Sequence, residues 1–337
     1  MSKTTVEIKN EQNYEHSSSS SAVNTKNILD NIKQALNLNE EDSTKNINLE
    51  TSKVSNESTL TDSSSTSKEN NKMNEYYNSF DFFQFEQNFH TYYVDSSKNN
   101  NGNYDNYVKN ALKLISLIPF RKLFINQRIK EISKSINFES IQNSNKKLLV
   151  LDLDETLIHA DLDYSYKDKI KYDTVLYFDS EDEKNIPIPL IIRPEMYQFL
   201  NYASKEFDLV IFTASEQQYA DTIINYIEKD KKYFKMRLYR NNCIFIEPGL
   251  YIKDLRIFSD YKKMEDIIIL DNSLFSFANQ LNNGILITSF FEDKTDTFLS
   301  NVKEYLDYIK NEKDIRELNK QSFRFEEIKE DISRNNN

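Results

Sequence analysis

The chain has 337 residues, a single cysteine and a formal net charge of −11 at pH 7. The acidic balance argues against direct binding to nucleic acids or anionic membranes, because both present negative charge. Cys243 on its own excludes an internal disulfide and is typical of a reducing compartment, so we predict an intracellular protein, nuclear or cytoplasmic. The sequence predicts no membrane span, since none of its apolar runs approaches the ~18 residues required. It does not predict an oligomeric state.

The first 144 residues divide into two predicted segments. Residues 1–75 are rich in Ser, Thr, Asn, Lys and Glu, a composition that buries too little apolar surface to offset its conformational entropy and therefore predicts disorder. Residues 76–144 form an extension that is first aromatic-rich and then helical. Within it, residues 104–136 carry apolar side chains at helical spacing, which predicts an amphipathic helix broken near Pro119.

From residue 145 onward, predicted strands alternate with predicted helices. Four apolar runs read as buried strands, two further segments read as strands of an excursion after the first run, and three segments read as helices. The runs are 148–151, 207–212, 267–270 and 284–287, the excursion strands are 174–178 and 186–192, and the helices are 195–204, 219–227 and 296–310. Ser215 and Gln218 resemble a capping box before the second helix. This alternation predicts an α/β domain with a parallel sheet over residues 145–318, followed by a charged C-terminal tail, 319–337.

Polar side chains follow three of these strands at their carboxyl ends, where open α/β sheets bind their ligands. They are Asp152 and Asp154 after the first strand, Thr213 after the second, Asp271 and Asn272 after the third, with Lys253 in a segment that precedes the third. Neighbouring carboxylates raise each other's pKa unless a cation compensates, which favours a metal-assisted site. Phosphoryl transfer needs a nucleophile, a hard metal with oxygen ligands, a proton donor and groups that contact the phosphate, and this set contains a candidate for each.

These residues lie in four of five motifs that together resemble the FCP/SCP-type phosphatase domain of the haloacid dehalogenase superfamily. In chain order the motifs are residues 152–159, 212–215, 219–221, 251–255 and 269–273. The resemblance extends from about Lys146 to Leu318. It implies a haloacid dehalogenase-like (Rossmann-like) parallel sheet flanked by helices, with a small strand insertion after the first motif and no large cap.

The resemblance also implies a role for each motif residue. Asp152 would be the nucleophile that forms an aspartyl-phosphate, Asp154 the acid and base, Thr213 and Lys253 the contacts to the phosphoryl oxygens, and Asp271 the residue that positions Lys253 or the water shell of the metal. Mg²⁺ would be held by the Asp152 side chain, the Asp154 main-chain carbonyl and Asn272. Thr156, Tyr219 and Arg240 would lie on the substrate side.

Two departures from the family pattern bear on the substrate. Leu274 stands where the family often has proline, and Glu216 stands where the polymerase phosphatases have an apolar residue that grips a substrate proline. The predicted function is a Mg²⁺-dependent phosphoserine/phosphothreonine phosphatase acting on a phosphorylated protein or peptide. Two alternatives stay open: a non-catalytic interaction module on the same fold, and a phosphatase specific for the polymerase C-terminal repeats.

Three further residues have structural interpretations. His159 is interpreted as a structural part of the turn after the first strand, and Cys243 as a small buried hydrophobe. Arg193 either shapes the site or caps a strand.

Overall fold

The structure is a computed structural model that describes residues 102–116, 122–162, 171–180, 183–246 and 250–335. The segment 1–75, the aromatic-rich residues that follow it up to residue 101, and Pro119 lie outside the described residues. The described residues form ten strands and eight α-helices. The strands are β1 Leu148–Leu151, β2 Ile158–Ala160, β3 Thr174–Phe178, β4 Ile186–Ile192, β5 Asp208–Phe212, β6 Phe234–Leu238, β7 Ile244–Ile246, β8 Leu250–Ile252, β9 Ile267–Asp271 and β10 Gly284–Leu286. The helices are α1 Gly102–Ile115, α2 Lys122–Ser135, α3 Glu139–Gln142, α4 Met196–Glu206, α5 Gln217–Ile227, α6 Phe298–Ile309, α7 Ile315–Phe323 and α8 Phe325–Asn335.

A five-stranded parallel sheet with the order β10-β9-β1-β5-β6 forms the centre of the fold. Every residue of β1, β5 and β9 is buried, because helices cover both faces of a sheet of this kind, and uniformly apolar strands are the result. The four predicted core strands are confirmed. The sequence did not predict β6, whose residues alternate between apolar and charged (Phe-Lys-Met-Arg-Leu), and which lies at the edge of the sheet.

A small antiparallel sheet with the order β2-β4-β3 is inserted after the first motif. Both predicted strands of the excursion, 174–178 and 186–192, are confirmed. The insertion packs on α5 through β3, where the rings of Phe178 and Tyr219 meet edge to face at 5.8 Å. Within the described residues this sheet takes the place of a large cap, as the resemblance implied.

The segment that the sequence presents as a charged tail is helical as far as Asn335. α7 and α8 meet at Arg324, which has a left-handed φ of 54°, and the rings of Phe323 and Phe325 stack at 5.5 Å in the core. Residues 319–335 of the predicted charged C-terminal tail thus form helices that pack against the core. The many charged residues of this segment obscure its apolar stripe in the sequence, and the stripe is recognisable only in the packed structure.

The predicted helical extension forms two helices, α1 and α2, on either side of the undescribed residues around Pro119. α1 packs on α8, and α2 packs on β7 and on the 3₁₀ turn Leu255–Phe258. The apolar side chains Val108, Ala111, Leu112, Ile115, Ile125, Ile129 and Ile132 are buried and continuous with the core of the sheet domain. Among the residues that the structure describes, no helix combines the length and apolar character needed to cross a membrane.

Candidate active site

The carboxyl ends of β1, β5 and β9 lie side by side and bring the predicted polar residues together. The N–H of Asp152 donates to the carbonyl of Leu270 at 3.0 Å, so the ladder between β1 and β9 continues into the first residue of the motif. The N–H of Thr213 donates to the carbonyl of Leu238 in the same way on the other side. The strands therefore fix the backbone from which these side chains project.

Lys253 links the carboxyl ends of β1 and β9 through two ion pairs. Its Nζ lies 2.5 Å from Asp152 Oδ1 and 2.6 Å from Asp271 Oδ2. Burial by itself would lower the pKa of Lys253, but the two carboxylates outweigh burial and raise that pKa above its ordinary value. Burial raises the pKa of Asp271 to about 7, and the Lys253 ammonium opposes this rise. The lysine is therefore protonated and compensates the charge of Asp152.

Asp154 has surroundings of a different kind. Its Oδ1 accepts a hydrogen bond from the Tyr219 hydroxyl at 2.6 Å, and its Oδ2 accepts one from the Ser215 hydroxyl at 2.7 Å and lies 3.4 Å from Thr213 Oγ1. Burial raises the pKa of Asp154 above its ordinary value, and the negative charge of Asp152 adds to the rise, whereas the Tyr219 and Ser215 hydrogen bonds oppose it. Burial and the charge of Asp152 thus favour the protonated form of Asp154, and a carboxyl group in such surroundings is suited to carry a proton.

The turn between the two carboxyl groups and β2 is tight. Glu155 has a left-handed φ of 55°, its N–H donates to the carbonyl of Ile158 at 2.7 Å, and its carbonyl accepts from Phe290 at 2.7 Å. Its side-chain Oε1 lies 3.0 Å from His159 Nδ1. Burial raises the pKa of Glu155 to about 7, with the His159 contact opposing the rise. His159 thus contacts the turn itself, in agreement with a structural role.

Thr156 is fully buried next to Asp152. It therefore does not lie on an accessible substrate side, where it was expected. Its hydroxyl donates to Asp152 Oδ2 at 3.0 Å and lies 3.5 Å from Asn272 Oδ1. The tight turn directs this side chain back toward β9, which explains the difference from its expected position. Because one hydroxyl contacts both, Asp152 Oδ2 and Asn272 Oδ1 lie close to each other.

These oxygens fit the expected magnesium site. Asp152 supplies a carboxylate and Asn272 an amide oxygen beside the same hydroxyl, and the amide nitrogen of Asn272 donates to Ser289 Oγ at 3.0 Å, which leaves its oxygen directed toward Thr156. The described residues contain no cluster of three His, Cys, Asp or Glu side chains suited to a metal. Mg²⁺ does not require such a cluster, because it binds through few protein oxygens and keeps several waters.

Tyr219 and Arg240, the other two residues expected on the substrate side, border the site. Arg240 donates to the carbonyl of Ala214 at 2.7 Å and pairs with Glu216 Oε1 at 2.8 Å, and its guanidinium lies over the ring of Tyr251 at 5.4 Å. The negative charge of Glu216 is therefore partly compensated. Arg240 also lines a cavity of about 320 Å³, whose other lining residues are Arg128, Asn241, Cys243, Phe245 and Tyr251.

Ser215 and Arg193 have roles that the sequence did not settle. Ser215 bonds to Asp154, and α5 begins at Gln217 after Glu216 without a side-chain cap, so the predicted capping box is wrong. Its position three residues after the end of β5 was the signal that could have revealed it. Arg193 is fully buried, donates to the carbonyl of Thr156 at 3.1 Å and pairs with Asp296 at 2.7 Å. It shapes the turn of the first motif.

A parallel sheet of this order with acid, hydroxyl and lysine groups at its carboxyl edge fits the haloacid dehalogenase-like fold that the resemblance implied. The protein-family model described as NLI interacting factor-like phosphatase matches residues 147–316. The chain belongs to this family.

The curated relatives share this segment. "CTD small phosphatase-like protein 2" of Dictyostelium discoideum is 35% identical over 174 residues, which cover 52% of this chain and 29% of that protein. "CTD nuclear envelope phosphatase 1B" of Danio rerio is 33% identical over 186 residues, 54% of this chain and 75% of that protein. The solved structure of Fcp1, described as an essential RNA polymerase II CTD phosphatase, has a TM-score of 0.37 and 19% identity over 58% of this chain and 54% of that chain. The chain therefore spans less than a third of the length of the Dictyostelium discoideum relative and three quarters of the length of the Danio rerio relative.

Proposed function

We propose that this protein is a Mg²⁺-dependent phosphatase that hydrolyses phosphoserine or phosphothreonine in a protein or peptide through an aspartyl-phosphate on Asp152. The observation that carries the proposal is the contrast between two neighbouring carboxyl groups. Asp152 faces the Lys253 ammonium at 2.5 Å, whereas Asp154 faces the hydroxyls of Tyr219 and Ser215. Two carboxyl groups whose surroundings differ in this way can divide the roles of nucleophile and proton carrier.

In the first step, a carboxylate oxygen of Asp152 attacks phosphorus and the bond to the serine or threonine oxygen breaks. The leaving oxygen takes its proton from Asp154. In the second step, Asp154 takes a proton from water, the water oxygen attacks phosphorus, and the bond to Asp152 breaks to release inorganic phosphate. Lys253 and the hydroxyl of Thr213, which contact Asp152 and Asp154 respectively, would donate to phosphoryl oxygens and so stabilise the charge that builds up on them.

The proposed metal ligands are the Asp152 side chain, the Asp154 main-chain carbonyl and Asn272. Bound Mg²⁺ would reduce the repulsion between the carboxylate nucleophile and the anionic phosphate. The role of Asp271 in this proposal is to hold Lys253, to which it is bonded at 2.6 Å.

The two alternatives make different demands on these residues. A non-catalytic interaction module has no need of the Asp152 and Asp154 pair, and here both are present with ordered partners. A phosphatase specific for the polymerase repeats needs an apolar grip for proline, and Glu216 is instead charged and 69% exposed at its side chain. The general phosphoprotein phosphatase is therefore the function that the site supports best.

The nuclear or cytoplasmic location stays a prediction, and the name of the Danio rerio relative favours the nucleus.

The first test concerns the metal. Hydrolysis of an aryl phosphate should require Mg²⁺, stop in excess EDTA and return when Mg²⁺ is restored. Asn272→Ala should raise the Mg²⁺ concentration for half-maximal activity by about tenfold to a hundredfold, because an oxygen ligand is lost. The measurement is a Mg²⁺ titration of initial rates. Asn201→Ala, at an exposed position on α4, is the matched control and should leave the titration unchanged. Full activity in excess EDTA would rule out the magnesium role.

The second test concerns substrate choice. Arg240 compensates the charge of Glu216 only in part, since the Glu216 side chain is 69% exposed, so peptides with basic residues flanking the phosphoserine should be preferred, and a following proline should bring little advantage. Glu216→Leu should reduce the preference for basic peptides by a factor of about two to five, mainly through association and more at low salt. The measurement is kcat/KM for peptides that differ only in the flanking residues, at two salt concentrations.

Glu216→Gln separates charge from shape, because it removes the charge and retains the side-chain volume. It should reproduce most of the loss seen with Glu216→Leu. If the proline-directed polymerase repeat is hydrolysed far better than basic peptides and Glu216→Leu has no effect, the polymerase-repeat alternative becomes the better one.

A further inference from the structure

The loop that follows β9 presents the proposed metal ligand Asn272 and is held by hydrogen bonds at its start. The N–H of Ser273 donates to Asp271 Oδ1 at 2.8 Å. The side chain of Asn272 donates to Ser289 Oγ at 3.0 Å. These two contacts lie within the segment that the family model matches.

A third contact reaches the same loop from the N-terminal extension. The N–H of Leu274 donates to the hydroxyl oxygen of Tyr107, which lies on α1, at 3.2 Å. The two residues are 167 positions apart, and Tyr107 lies outside the matched segment 147–316. Tyr107 is 4% exposed and Leu274 is fully buried. This hydrogen bond therefore joins the extension to the metal-ligand loop inside the core.

The identity of residue 274 explains why this contact matters. Ser276 N–H donates to the Ser273 carbonyl at 3.1 Å, so Leu274 occupies the second position of a turn, the position that proline favours. The resembling family often has proline there, and proline has no N–H. Leucine introduces a buried donor, which is costly without an acceptor. Tyr107 supplies that acceptor.

The extension also contacts the segment that follows Lys253. Ser133 Oγ on α2 donates to the carbonyl of Ile257 at 3.1 Å, and Arg256 donates to Asn126 Oδ1 at 3.0 Å. The helices that precede the family domain thus touch the chain next to two of its site residues.

We infer that Tyr107 is a positioning residue of the active site, whose hydroxyl fixes Leu274 and thereby the loop that presents Asn272 to Mg²⁺. The inference rests on the proposed function, because the position of Asn272 matters in this way when it is a metal ligand. Tyr107 is buried and is not one of the proposed metal ligands, so its role would be to position the loop.

The experiment compares the wild-type full chain with Tyr107→Phe, which keeps the buried ring and removes the acceptor. The dissociation constant of Mg²⁺, measured by calorimetry, should rise about threefold to tenfold, as expected when a buried N–H loses its partner. Hydrogen exchange in the segment 271–280 should become faster. At saturating Mg²⁺, kcat should stay within about twofold of wild type, because the reacting groups are unchanged.

Leu274→Pro provides the decisive comparison, since it removes the donor that Tyr107 satisfies. Adding Tyr107→Phe to Leu274→Pro should change the Mg²⁺ dissociation constant by less than about twofold, because the pair no longer interacts. Tyr305→Phe is the matched control. Its hydroxyl is also buried, bonding to Asn319 and Ser322, so its loss should lower the melting temperature and leave Mg²⁺ binding unchanged.

The outcomes separate the two levels of the proposal. If wild type binds Mg²⁺ and Tyr107→Phe binds it equally well, the inference about Tyr107 is wrong and the proposed function stands. If Tyr107→Phe weakens binding by the same factor in the Leu274→Pro background, the effect does not pass through Leu274 and the inference is also wrong. If wild type binds no Mg²⁺, the proposed function fails and the inference fails with it.

Discussion

Asp152→Asn should lower the turnover of an aryl phosphate by at least about a thousandfold, the scale of loss when a nucleophile is removed. The carboxamide group of Asn has almost the same shape as the carboxylate. Its oxygen can still accept a hydrogen bond from Lys253, but it is a poor nucleophile. The variant should therefore stay folded. The measurement is the initial rate at saturating Mg²⁺, with circular dichroism to verify folding.

Asp154→Asn is the informative companion of this variant. It cannot activate the water of the second step, so after reaction with an aryl phosphate it should accumulate phosphate on Asp152, detectable as a mass increase on the intact protein. Asp152→Asn should show no such increase. Beryllofluoride with Mg²⁺ should mimic the phosphorylated aspartate and inhibit the wild type. A folded Asp152→Asn variant with full activity would refute the covalent mechanism.

Lys253→Met should destabilise the protein by about 3–5 kcal/mol at pH 8, because it leaves the buried carboxylates of Asp152 and Asp271 without their shared cation. Methionine preserves the length and apolar stem of the lysine, so the loss reports on charge more than on packing. The measurement is the free energy of unfolding from urea titrations. Activity should also be lost, since a cationic contact to the phosphate is removed.

The pH dependence of this variant has a definite sign. Burial already raises the pKa of Asp271 to about 7 while Lys253 opposes the rise. Without Lys253 that pKa should rise further above the value in the unfolded chain, so the folded state binds more protons than the unfolded state. The stability of Lys253→Met should consequently increase as the pH falls from 8 to 6.

Lys253→Met combined with Asp271→Asn is the control for this reasoning. Removing the second charge should recover much of the lost stability and flatten its dependence on pH, because only one carboxylate stays buried in the cluster. If the double variant is as unstable as Lys253→Met at pH 8, packing of the lysine stem is responsible and the electrostatic explanation is wrong.

The sequence by itself determined four of the five strands of the central sheet and the polar residues that follow three of them. β1 and β9 are uniformly apolar because both faces of a parallel sheet are buried, and each run gives way to acidic residues where it ends. Strands that run in parallel bring their carboxyl ends to one edge, so Asp152, Thr213 and Asp271 were predicted to meet there. The local sequence is sufficient for this prediction because a buried strand is visible as an apolar run of a few residues, and the polar residues that follow the run mark its carboxyl end.

Only the tertiary structure decided which side chains bond to one another. Ser215 looks like a helix cap in sequence, and its Asp154 partner depends on the register of β1 beside β5. Lys253 pairs with a carboxylate 101 residues away, and Tyr107 with an N–H 167 residues away. Such contacts depend on the packing of separate elements, and no periodicity within either segment encodes them. The edge strand β6 and the helices α7 and α8 were not predicted either. Their charged residues obscure, in the sequence, the apolar positions that are buried when these elements pack.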